Sequence, residues 1–268
     1  MPKTQLIARN VLPAALAAAL CGLAAPSAHG VLIISYTASN IPGGGANTVT
    51  VTCVDNTACD TDLSIGSIVL PNGTMPIPGL VVNGSTSFST RATGPGSNNV
   101  LSSGSSTITY NPGAAGPSFA RVTATISDTF FVGPSTSVFT SGSGTFLNAA
   151  SLSNITLGWW NDPANAQGAG TPTDRPGNMV DTFFFDPTLN PESFSHNFSG
   201  TLATPDGLAY SMTMGFTFDL VNGGSLVSRG QAEVKPLAAA IPEPETYALM
   251  LAGLAAVGLV SRRRSRRV

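Results

Sequence analysis

From about residue 31 to residue 237, apolar side chains recur at every second position. A period of two is the repeat of an extended strand with one buried face; a helix would return its apolar stripe every three to four residues. Thr48, Thr50 and Thr52 alternate with Val49, Val51 and Cys53. Ala120, Val122, Ala124 and Ile126 alternate with Arg121, Thr123, Thr125 and Ser127. Phe194, His196 and Phe198 alternate with Ser193, Ser195 and Asn197, and Tyr210, Met212, Met214, Phe216, Phe218 and Leu220 with Ser211, Thr213, Thr217 and Asp219. Val31 to Ala38, Ile65 to Leu70, Thr107 to Tyr110 and Thr182 to Phe185 are further strand candidates. Gly, Pro, Asn and Ser clusters at Pro42 to Gly45, Gly94 to Asn99, Asn111 to Pro117 and Ala164 to Gly177 punctuate them as loops. Asn222 to Ser225 predicts a hairpin between Tyr210–Val221 and Leu226–Val234. Many strands without a helical segment between these bounds predict an all-β fold, a single antiparallel β-sandwich of the jelly-roll kind, flanked by an N-terminal signal helix and a C-terminal transmembrane helix.

Low charge with abundant Gly, Ser, Thr and Asn suggests an extracellular β protein and not a cytosolic enzyme. Charged residues make up 10% of the chain, against about 25% in an ordinary soluble domain. Between Arg9 and Arg262, five basic residues face all fourteen acidic ones, which leaves −9. An acidic body is a poor partner for nucleic acid. Of the three cysteines, Cys21 lies in the N-terminal apolar run, which leaves Cys53 and Cys59. One close pair in an exported chain predicts a disulfide.

Both ends read as addresses. Lys3 and Arg9 precede an apolar stretch from Val11 to Ala25, and Ala28-His29-Gly30 satisfies the small-x-small cleavage rule. Residues 1–30 are therefore predicted to be a signal peptide for the secretion translocon, cut after Gly30 or, as the second choice, after Ala28. At the other end, a linker over 238–245 contains Pro242-Glu243-Pro244; an apolar helix is predicted over 246–261, and 262–268 is a basic cytoplasmic tail. The apolar run Tyr247 to Val260 has 14 residues. That is about 21 Å of helix against a hydrocarbon core of about 30 Å, a marginal membrane span.

Pro242, Glu243 and Pro244, the short apolar helix, and Arg262, Arg263 and Arg264 in that order resemble the PEP-CTERM sorting signal. The resemblance covers Ile241 to Val268. It implies recognition by exosortase, a membrane-embedded cysteine transpeptidase-like enzyme. It also implies delivery to the cell surface or biofilm matrix of a Gram-negative bacterium, in association with exopolysaccharide. Bodies of this family vary widely, so the tail speaks of destination and not of the body's own activity.

The body offers little for catalysis. His29 leaves with the signal, so His196 is the one histidine of the mature body, and its place between Phe194 and Phe198 predicts a buried, hydrogen-bonded side chain. No G-x-S-x-G elbow occurs. Zinc sites with several histidines are excluded by count, and no cofactor is expected. Asp55, Asp60 and Asp62 around the cysteines, and Asp181 and Asp186 around an aromatic strand, read as solvated acidic positions; calcium is the less favoured alternative. Asp162, Asp174 and Glu192 lack a spacing that would support glycosidase chemistry. Trp160, Asn161 and Asp162 are the candidate sugar-binding residues, because Trp160 falls on the polar face with Asn154 and Thr156 while Trp159 falls on the core face. The expectation is a non-catalytic surface protein; a carbohydrate-binding module is the alternative and a hydrolase the third reading.

Overall fold

The computed structural model describes residues 30–41, 48–74, 77–92, 97–114, 118–133, 135–202 and 208–236. Its strands, numbered in chain order, form two antiparallel sheets. One sheet runs β11 (Asn178–Phe185), β10 (Asn154–Asp162), β13 (Ala209–Val221), β8 (Phe119–Val132), β1 (Ile33–Ile41), β2 (Thr48–Val54). The other runs β12 (Glu192–Thr201), β9 (Ser135–Leu147), β14 (Ser225–Pro236), β7 (Asn99–Tyr110). The far edge of β7 is shared by β5 (Leu80–Asn83), which carries β4 (Gly73–Thr74), and by β6 (Thr86–Thr90), which carries β3 (Ser67–Val69). From β7 to β14 the chain crosses between sheets at every step except the β10–β11 hairpin. The orders β12-β9-β14-β7 and β11-β10-β13-β8 are those of a jelly roll, so the predicted two-sheet antiparallel sandwich is the observed one.

The core is the set of side chains that the period-two pattern points inward. Ala120, Val122, Ala124 and Ile126 of β8 are buried, as are Tyr210, Met212, Met214, Phe218 and Leu220 of β13. Trp159, Phe131 and Phe146 fill the space between the sheets. The other face of β8 and β13 is also enclosed, although its residues are polar. The loop from residue 163 to 177 lies over it: Thr125 Oγ1 donates to the Pro172 carbonyl at 2.6 Å, and Gly168 N–H donates to Ser127 Oγ at 3.1 Å. Thr125, Ser127, Ser211 and Thr213 are buried under this cover.

Two expectations are corrected. Tyr210–Val221 and Leu226–Val234 are not hairpin partners: β13 pairs with β8 and β10, β14 with β7 and β9. The Asn222–Gly224 turn carries the chain from one sheet to the other, because both edges of β13 are taken by β8 and β10 and both edges of β14 by β7 and β9. The strand candidate Ile65 to Leu70 shrinks to Ser67–Val69, because Gly66 sits at φ 81° and Ile65 is exposed in the preceding turn.

The predicted disulfide joins Cys53 to Cys59, with Cα atoms 5.7 Å apart. It ties the end of β2 to a loop organised by carboxylates. Asp60 Oδ1 accepts from the N–H groups of Asp62 and Val69, each at 2.9 Å, and Asp55 Oδ2 accepts from Gly66 N–H at 2.7 Å. These acids serve backbone donors, and among the described residues no three metal-ligating side chains converge. Among the described residues, likewise, no helix is long and apolar enough to cross a membrane. The signal segment up to His29, the linker, the predicted span over 246–261 and the arginine tail lie outside them.

Candidate functional site

The sequence-predicted sugar residues end the central part of β10, and the fold separates them. Trp159 is core, 1% exposed. Trp160 lies half-buried on the outer face, as the alternation requires, but the Arg175 guanidinium stacks over its ring at 4.8 Å. Arg175 reaches there because Gly215 leaves the space: a Cβ on Gly215 would lie 2.4 Å from Arg175 Nε. Burial pushes the Arg175 pKa down, and its Nε donates to Thr125 Oγ1 at 3.2 Å. Asn161 and Asp162 are enclosed, at 3% and 8% exposure. Asp162 accepts from Ala164 N–H at 3.0 Å and Ala166 N–H at 2.9 Å, which starts the covering loop. Trp160, Asn161 and Asp162 thus do not form one open platform; the two polar members are occupied with organising the loop.

His196 is held as a structural group. Its Nε2 lies 2.8 Å from Asp181 Oδ2, which also accepts from Thr140 Oγ1 at 2.5 Å. The ring stacks on Phe183 at 4.6 Å and on Trp159 at 5.9 Å. Among the described residues no serine, threonine or cysteine is hydrogen-bonded to this imidazole.

A larger feature lies on the outer face of the eight-stranded sheet. Ser195 of β12, Ser143 of β9 and Arg229 of β14 form one cross-strand row, and Asn197, Ser141 and Gln231 form the next. Phe139 heads a third row between Ser199 and Glu233. The surface over these rows is hollowed. One hollow of about 410 Å3 extends from Phe88 of β6 across Ser102 to Ser105 of β7 and the rows just named. A second of the same volume adjoins it, and the two share Ser105, Ser143 and Arg229. Arg229 Nε donates to Ser143 Oγ at 3.0 Å, which lays the side chain over its neighbouring strand.

The opposite face of the same strands is tightly packed. Gly142 and Gly230 are direct cross-strand partners. A Cβ on Gly142 would meet Leu157 Cδ1 at 2.3 Å, and one on Gly230 would meet Met214 Sδ at 2.8 Å. Side chains of the facing sheet therefore reach the backbone of this one at the glycine pair. On the outer face the short side chains of Ser105, Ser141, Ser143 and Ser195, with Gly104, add little height above the sheet. Sequence reasoning missed the groove because the Ser-Gly run of β9, Ser141-Gly142-Ser143-Gly144, has no apolar alternation and does not announce a strand. The signal available was the recurrence of Ser-Gly or Gly-Ser pairs at Ser103-Gly104, Ser141-Gly142 and Gly144.

Comparison with known proteins bears on the two parts of the chain separately. No curated protein matches the sequence. Among solved structures, the chain is similar to TmCBM61 in complex with β-1,4-galactotriose, with 11% identity over 57% of this chain and 81% of that one, at a TM-score of 0.27. It is similar to a structure described among promiscuous carbohydrate-binding modules of the β-sandwich superfamily, with 10% identity over 75% and 72% and a TM-score of 0.26. It is also similar to the enzymatically active domain of tailspike protein 4 of bacteriophage CBA120, with 14% identity over 61% of this chain but 21% of that one, at 0.26. Residues 240–266 match the family model of the PEP-CTERM protein-sorting motif. Behind its β-sandwich body the chain therefore carries a PEP-CTERM sorting signal.

Proposed function

We propose that this protein is a non-catalytic surface or matrix component, exported through the translocon, held briefly by its C-terminal helix and processed at the tail by exosortase. The observation that carries this reading is the match of residues 240–266 to the sorting motif. Pro242 and Pro244 stiffen the outer flank and stop a helix from running back into it. The run Tyr247 to Val260 is short for a lasting anchor, and Arg262 to Arg264 stay on the cytoplasmic side. Such a segment halts translocation while it presents the Pro-Glu-Pro flank to a membrane enzyme. His196, bonded to Asp181 and stacked on Phe183 and Trp159, fits a structural side chain of the sandwich. Mass spectrometry of the protein from an exosortase-bearing host is expected to find a C-terminus close to Pro242-Glu243-Pro244 in the surface or matrix fraction. An intact chain ending at Val268 as the main mature species would make it a C-terminally anchored membrane protein instead.

A second reading has its own observation. The hollowed polar face of β12, β9, β14 and β7 supports the body as a carbohydrate-binding module for the cell's own exopolysaccharide. A volume of about 410 Å3 falls within the range of about 300–1,000 Å3 usual for ligand sites.

A further inference from the structure

We propose that the groove over Gly142 and Gly230 is a binding site for a segment of a neutral polysaccharide, long enough to pass Arg229 from one hollow into the other. This rests on the carbohydrate-binding reading and adds the site, its residues and the charge of the ligand.

The groove belongs to the architecture and not to a chance arrangement of surface side chains. Its floor is the backbone of two paired glycines packed directly on Leu157 and Met214 of the facing sheet, where a β-carbon on either glycine would clash. Its lining is chemically specific. Ser141, Ser143, Ser195, Asn197 and Gln231 supply hydroxyls and amides, each both donor and acceptor. A sugar hydroxyl is also both donor and acceptor, so a row of sugar hydroxyls finds partners of either kind along such a row. Phe88, 39% exposed, and Phe139 line the first hollow and offer apolar surface to the C–H face of a pyranose ring. A protein partner would be met by apolar anchors in a well-packed centre, which a floor of serines does not provide.

Charge selects between classes of glycan. Among the residues lining either hollow, Arg229 alone is charged, and it already donates to Ser143. The body over 31–237 carries five basic and twelve acidic residues, a net −7. A polyanion approaching this surface is repelled by the field of the whole body, and one arginine does not reverse that field. A neutral chain meets no such barrier, and Arg229 can donate to its ring or hydroxyl oxygens.

Affinity electrophoresis of the exported protein tests this. The gels contain, separately, the host's purified exopolysaccharide, a β-glucan, a galactan, a xylan and a polyuronate. Retardation is expected in at least one neutral gel. The Asn197→Ala, Gln231→Ala double variant should weaken it by about tenfold or more, as expected for lost hydrogen bonds. Ser141→Tyr, which fills the hollow from an outward position, should abolish it with the thermal midpoint unchanged, and Trp160→Ala should leave it intact. Retardation by the polyuronate alone overturns the neutral ligand but leaves the carbohydrate-binding reading standing. Binding that survives Ser141→Tyr and is lost in Trp160→Ala overturns the groove and moves the site to the other sheet. No retardation in any gel overturns both.

Discussion

Among the described residues Asp128 is the most enclosed carboxylate: its side chain is fully buried and accepts from Arg91 Nη2 at 2.7 and 2.8 Å, from Thr129 N–H at 2.7 Å and from Ser89 Oγ. Burial pushes its pKa above the usual aspartate range, with these donors opposing. A raised carboxyl pKa means that its contribution to stability is complete below the unfolded value of about 3.9 and is lost as pH rises through the folded value. Chemical denaturation of wild type and Asp128→Asn from about pH 3 to 7 should therefore show the stability gap between them shrinking with rising pH. A gap that widens would mean that Arg91 and not burial governs the titration. Arg91→Ala leaves the carboxylate without its cation and should cost about 3–5 kcal/mol near neutral pH. The cysteine pair is a smaller matter: closing so short a loop is worth about 2 kcal/mol, so Cys53→Ala should lower unfolding stability by that amount. Non-reducing peptide mapping of exported protein should recover Cys53 and Cys59 linked, and two freely alkylated thiols would exclude the bond.

Strand β10 shows how one element divides its labour. Ile155, Leu157 and Trp159 face the core, while Trp160 faces outward under Arg175. Trp159→Ala is expected to cost about 3–5 kcal/mol as a core truncation. Trp160→Ala should cost only about 1 kcal/mol, the scale of its cation–π contact. Equal losses in urea denaturation would show the strand in the other register. Strand β9 is the counterpart: Gly142→Ala places a methyl against Leu157 Cδ1 and should destabilise by about 1–3 kcal/mol through overpacking. The same change would raise the floor of the groove, so it couples the core of the sandwich to its outer surface.

For the whole molecule, export and folding make different demands on one chain. Replacing Glu243 and Pro244 should leave an uncut precursor in the membrane fraction, with the body folded normally. Replacing Arg262, Arg263 and Arg264 with Ser removes the charges whose entry into the bilayer centre costs about 2.5–3.5 kcal/mol each on insertion scales. That variant should slip through the membrane and escape processing, and immunoblotting of cell fractions would detect it as an uncut, released chain. Retention of the arginine variant would show that the apolar run holds by itself.

The local order of residues sufficed for the strands with apolar alternation, for the disulfide and for the sorting tail. Each of these is a short-range property: a period of two, a spacing of six positions, a linear motif read by membrane machinery. Trp159 and Trp160 could be assigned to opposite faces for the same reason. What covered the outer face could not be read locally. Arg175 stacks on Trp160 only because a fifteen-residue loop folds back over β8 and β13, and Asn161 and Asp162 are enclosed by that same return. The Tyr210–Val221 and Leu226–Val234 segments looked like a hairpin because a turn joins them, yet which sheet a strand enters is settled by competition among all strands for long-range partners. The groove belongs wholly to tertiary structure. Glycine and serine carry no periodic signal in a sequence, and the hollow is formed only when short side chains of β12, β9, β14 and β7 are brought into neighbouring rows across one sheet.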